Sequence, residues 1–147
     1  MIDESVLPEQ INAVDNTTDS KPGNSREWAI IAAQAAYDKK AFDIVVQEVK
    51  KQIVITDYFV IASGSSNRQV DAICDAIEEA LRDKAGIKPI GREGRDEMTW
   101  VLLDYNDFVV HVFQPAYRDF YRLETIWNDA PYLDLTGYGI EQAQPRV

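Results

Sequence analysis

Residues Tyr58-Phe59-Val60-Ile61-Ala62-Ser63 make an unbroken apolar and β-branched run that stops at Gly64. A strand with one wet face alternates apolar and polar side chains; a run without alternation predicts a central strand covered on both faces. The period then changes. Ser65, Ser66 and Asn67 are all competent helix caps, and Val70, Ile73, Ile77, Ala80 and Leu81 recur at three- and four-residue spacing, which makes one apolar helical stripe. Gly86 stands at a typical C-cap distance.

The flanking sequence extends this unit. A helix is expected over residues 25–38, capped by Ser25 and rich in alanines (Ala29, Ala32, Ala33, Ala35, Ala36) that favour helix and permit close packing. Strands are expected over 42–49 and, at an edge that tolerates Pro89, over 89–93. Residues 100–105 and 108–113 read as a hairpin about Asn106-Asp107, two residues that accept positive φ. A final helix should open at Pro115 and run to about Trp127. The order is that of a single-domain α/β fold, a mixed sheet of about five strands with packed helices. A chain of 147 residues is one domain, long enough to bury a core without staples. Residues 1–24, with Pro8, Pro22, Gly23 and many polar side chains, are expected to be a disordered N-terminal tail. The folded domain should span 25–136, and 137–147 should form a flexible C-terminal tail.

Alternation divides the hairpin into two faces if Tyr105 pairs with Phe108 and Trp100 with Phe113. One carries Val101, Leu103, Tyr105, Phe108, Val110 and Val112 and should pack on helices. The other carries Trp100, Leu102, Asp104, Val109, His111 and Phe113. Two readings of this second face stand. It is either another core layer under the final helix, or a binding surface with aromatic anchors and a few polar contacts.

Composition limits the chemistry. The single cysteine, Cys74, lies in the periodic stripe and reads as a buried structural thiol of an intracellular protein. With one Cys and one His, no closed zinc site is available, and no cofactor is expected. A Ser/His/Asp triad lacks its nucleophile elbow, and His111 sits in mid-strand. The stronger enzymatic alternative is nucleotide binding or nucleotidyl transfer at Gly64-Ser65, where a helix N-terminus follows a buried strand. That chemistry needs alternating metal carboxylates; the 89–93 strand offers only Glu93, and Asp104 and Asp107 straddle a turn. The formal charge of −10 opposes direct sequence-specific nucleic-acid binding and favours a basic protein partner. No secretory signal and no membrane-spanning run is visible, so the expected location is cytoplasmic, with no membrane partner.

Three ordered blocks resemble the ribosomal silencing factor (RsfS/Iojap) family. The first runs from Asp57 through Gly64 to Val70. The second joins Glu93-Gly94, Trp100 to Tyr105, and Val109 to Phe113. The third is Arg118, Tyr121, Leu123-Glu124 and Trp127. The resemblance implies a nucleotidyltransferase-like fold without enzyme activity. It also implies a translation repressor that binds the large ribosomal subunit through a basic ribosomal protein, the fourteenth of that subunit, at the joining face. Small-subunit docking would then be blocked sterically under nutrient limitation. For partner contact the expectation is Trp100, Leu102, Asp104 and His111, with Tyr105 at the hairpin tip and Arg118 and Tyr121 on the last helix. Arg118 has a structural alternative, pairing with Asp104, Glu93 or Glu124, and Arg68 and Gln69 are candidates to brace the Gly64 loop. Exposed aromatic surface also leaves a homodimer open.

Overall fold

The computed structural model describes residues 24–141. Its elements are α1 (Asn24–Asp38), β1 (Phe42–Glu48), β2 (Tyr58–Ser63), α2 (Asn67–Ala85), β3 (Gly91–Glu93), β4 (Trp100–Asp104), β5 (Phe108–Phe113) and α3 (Pro115–Tyr121). Short 3-10 turns follow at Leu123–Thr125 and Thr136–Tyr138. The five strands lie in the order β1-β2-β5-β4-β3. β2 and β5 are parallel and the other neighbours antiparallel, so the sheet is mixed. The unalternating run is a central strand, buried at every residue.

Burial on both faces has two different causes. On one side α1 and α2 pack their alanines, Val70, Ile73, Ile77 and Leu81 against Val60, Val101, Leu103, Val110 and Val112. Cys74 lies in this layer, where burial pushes its thiol up to about 12 and keeps it protonated. On the other side Val45, Phe59, Ile61, Leu102, Val109 and Phe113 meet Leu123 and Ala130, with Trp100, Trp127 and Tyr132 packed around them. The hairpin register pairs Trp100 with Phe113, and the Tyr105 N–H donates to the Phe108 carbonyl at 3.0 Å. Asn106 turns the chain at φ 74°. Both faces of the hairpin are thus core in their middle, and only their margins reach solvent.

The caps of α2 form where the sequence puts them. The Ser66 hydroxyl accepts the Gln69 N–H at 3.1 Å, and Gly86 takes a left-handed conformation at φ 70°. α1 opens one residue before Ser25, whose hydroxyl donates instead to the Asp57 carboxylate at 3.1 Å. β3 is shorter than expected, beginning at Gly91.

Two boundaries need correction. The final helix does not reach Trp127; it stops at Tyr121, where Arg122 turns left-handed at φ 49°. The expected C-terminal tail does not begin at Gly137: Ile140 is buried in the helical layer. The Tyr138 hydroxyl also accepts from Arg26 at 3.1 Å. Apolar burial at Ile140 holds this last turn to the domain. The rest of that expected tail, 142–147, and residues 1–23 of the expected N-terminal tail lie outside the described residues.

Candidate functional site

The chain after β5 forms the outer layer of the second face, and one pair explains its shape. Arg118, on α3, is 1% exposed and donates from Nε to Glu124 at 3.1 Å and from Nη1 to the Ser63 hydroxyl at 2.8 Å. Residues six apart on one helix sit about 120° around the axis from each other and do not face. The left-handed break at Arg122 brings Glu124 back to Arg118. It also seats Leu123 in the core. Of the three structural partners open to Arg118, Glu124 is the one it holds.

This break leaves α3 with an inverted pattern. Arg118 is its one buried residue, while Tyr117, Phe120 and Tyr121 are 41%, 78% and 46% exposed. Tyr121 lies against Trp100 with ring centroids 4.8 Å apart, and Phe120 stands edge-on to Tyr121 at 5.0 Å. Trp100 in turn stacks on Phe113 at 4.9 Å. An aromatic strip therefore runs from the core outward through Trp100 and Tyr121 to Phe120. Beside it Glu93, Gly94, Trp100 and Leu102 line a cleft.

The wall of that cleft is built by the turn between β3 and β4. Gly94 has φ 86°, and the Met98 N–H donates to its carbonyl at 2.9 Å. Arg95 ties the turn to α2 through Asp71 at 2.6 Å, Asp75 at 2.9 Å and Glu78 at 3.3 Å. Those carboxylates recur at four and three residues, so they share one helical face.

The expected contact residues separate by depth. Trp100 is half-buried and Tyr121 exposed; Leu102 shows only its cleft side, being 5% exposed. Asp104 is half-buried and accepts the Asn106 N–H at 2.8 Å. Burial raises its carboxyl above the usual range, against the lowering effect of that hydrogen bond. Tyr105 is not at a surface tip but in the helical layer, stacked on Phe108 at 4.8 Å. Arg118 and His111 are enclosed as well. Phe120, the most exposed of the aromatics, is not among the expected residues, though aromatics at 117, 120 and 121 stand three and four apart on one helix.

His111 has no solvent exposure, and burial pushes its imidazole down to about 3. The unfolded chain takes up this proton near about 6.5, so His111 imposes no protonation penalty on folding above that pH and a growing one below it. Between pH 7 and 5 this group alone should remove about 2 kcal/mol of stability. Urea unfolding at the two pH values checks the figure, and the loss should be smaller by about that amount in a His111→Phe chain.

The Gly64 loop is braced from within. The Ser65 N–H and hydroxyl both donate to the Gln69 amide oxygen, at 2.6 and 2.7 Å. The amide nitrogen of Gln69 donates to the Lys39 and Lys40 carbonyls at 3.2 and 3.1 Å. Gln69 is thus the brace and the neighbouring Arg68 is exposed. A phosphate at this helix start would have to displace that side chain. A Cβ on Gly64 would lie 3.0 Å from Ile73, so this glycine serves close packing of loop on helix. Among the described residues no group of three or more His, Cys, Asp or Glu is arranged to hold a metal ion, and no helix is long and apolar enough to cross a membrane.

Residues 22–146 match the family described as "Ribosomal silencing factor during starvation". The chain belongs to the ribosomal silencing factor family. It is 42% identical over 119 residues to the ribosomal silencing factor RsfS of Bacillus subtilis, covering 81% of this chain and 99% of that one. A crystal structure of a Chromobacterium violaceum protein, 37% identical, superposes with a TM-score of 0.67 over 70% of this chain and 85% of that one. A mouse protein named for mitochondrial assembly of the ribosomal large subunit is 34% identical over 92 residues, 61% of this chain and 40% of that protein.

Proposed function

We propose that this silencing factor binds the large ribosomal subunit through a basic ribosomal protein at the joining face, the fourteenth of that subunit. By covering that surface it keeps the small subunit from docking and represses translation in the cytoplasm when nutrients are short. The observation that carries the reading is the aromatic strip of exposed Phe120 and Tyr121 and half-buried Trp100 beside an acid-flanked cleft. Aromatic side chains give large contact area at low entropy and dominate protein interfaces. Glu93 on the cleft wall, Asp104 on β4 and the net charge of −10 favour a basic partner. Occlusion needs no bond making, and a wide side-chain surface is sufficient for it. In this reading Trp100, Leu102, Asp104, Tyr121 and Phe120 make contact, while His111 and Arg118 act from beneath and Tyr105 braces the hairpin from the helical layer.

Co-sedimentation with purified bacterial large subunits, followed by light scattering of subunit joining, tests both halves. The expected result is binding that weakens with salt and that slows joining. Binding without slowed joining would remove the occlusion mechanism; no binding would remove the partner. Phe120→Ala should weaken binding about tenfold or more. Because the side chain is 78% exposed, the same variant should unfold within about 0.5 kcal/mol of the parent. A folded variant that binds as tightly as the parent would take α3 out of the contact surface.

A further inference from the structure

Trp100 carries a hydrogen bond that its place in the aromatic strip does not require. Its indole N–H donates to His111 Nδ1 at 3.1 Å. An indole at a half-buried position can satisfy that N–H with water, so the protein partner fixes a direction as well as satisfying a donor. His111 is suited to nothing else in reach of solvent: it is fully buried and stands edge-on to Phe59 at 4.8 Å. Its other nitrogen, Nε2, has no hydrogen-bond partner. A buried polar nitrogen without a partner is unfavourable, and a core chosen for stability alone would put an apolar ring there.

We infer that His111 is a positioning residue that holds the Trp100 indole in one orientation at the edge of the cleft. Accepting at Nδ1 requires the tautomer protonated at Nε2. In that state the imidazole pins the indole N–H inward. Phe113 and Tyr121 lie against the ring with centroids at 4.9 and 4.8 Å, and Trp100 lines the cleft with Gly94 and Leu102. A half-buried tryptophan with one orientation presents a preformed contact and loses less freedom on binding. This inference rests on the reading of the strip as the contact surface, and deepens it by dividing roles: Trp100 touches the partner, and His111 acts through Trp100.

The test compares three chains binding to purified large subunits, with urea unfolding of each. His111→Phe keeps the ring volume and removes the acceptor. It is expected to be as stable as the parent at pH 7, or more stable, and yet to bind about tenfold more weakly. His111→Asn returns an acceptor oxygen close to the Nδ1 position and should recover part of the affinity while losing stability to the smaller side chain. Trp100→Ala is the control. If it abolishes binding while His111→Phe binds like the parent, the positioning role is wrong and the surface stands. If Trp100→Ala itself binds like the parent, the surface and the inference fall together. Should His111→Phe fail to fold, nitrogen NMR of the parent decides: a proton on Nε2 and a Trp100 indole N–H slow to exchange support the arrangement, and a proton on Nδ1 overturns it.

Discussion

Glu124→Ala is expected to lower folding stability by about 3–5 kcal/mol, a large share of the roughly 5–15 kcal/mol that holds a typical domain folded. The side chain is 2% exposed and faces a guanidinium that is 1% exposed. Removing the carboxylate leaves that positive charge in the interior without its counter-charge, which is far more harmful than never having had the pair. The Leu123–Thr125 turn would also lose its tie to α3, and Gln47, whose amide donates to the Glu124 carbonyl at 3.0 Å, would lose a fixed acceptor. Urea titration followed by circular dichroism measures the loss. Arg118→Met combined with Glu124→Leu should recover much of it, because an apolar pair of similar volume avoids the desolvation altogether. A single variant within 1 kcal/mol of the parent would mean that the pair is not desolvated in solution.

Gly94→Ala should be the second severe change, at about 3 kcal/mol. The backbone there has φ 86°, where a side chain is strained, and an added Cβ would fall 2.0 Å from the carbonyl oxygen of Trp100. That oxygen belongs to a strand and cannot swing aside as a side-chain tip would. The turn must open, so β3 should separate from β4 at its Glu93 end and the cleft wall should move away from Trp100. Stability and large-subunit affinity are therefore expected to fall together, in contrast to Phe120→Ala, where affinity alone should change. Parent-like melting of Gly94→Ala would show that the turn relaxes freely.

The contrast between those variants follows what was legible in the chain beforehand. The hairpin register and the membership of its two faces were readable, because alternation has a period of two and the Asn106-Asp107 turn leaves one way to pair the strands. Periodicity tells which side chains share a face; it is silent on what covers that face. His111 and Leu102 were grouped correctly with Trp100, and their depth was decided by Leu123, Ala130 and Trp127 arriving from a later part of the chain. The end of the last helix was illegible for a related reason. Nothing local forbids a helix through Arg122; the break is worth making because it joins Arg118 to Glu124, a tertiary pair. Of the proposed contact surface, Trp100 and Tyr121 were readable as aromatics in family-like blocks, whereas the exposure of Phe120 follows from the inverted burial of α3 around Arg118, which no local pattern announces.

The two borders of the sheet have a consequence for the protein's conduct in a crowded cell. The free flank of β1 is taken by the chain itself: the Glu48 N–H donates to the Pro131 carbonyl at 2.8 Å, and the Leu133 N–H to the Val46 carbonyl at 2.9 Å. The opposite border, β3, is three residues long. A strand flank left open is a template on which another chain can grow, and such growth is hard to reverse. With one flank covered over Val46 to Glu48 and the other too brief to template, recruitment by main-chain pairing is disfavoured. What the molecule offers its surroundings is side chains, and contacts of that kind can be made, outcompeted and released.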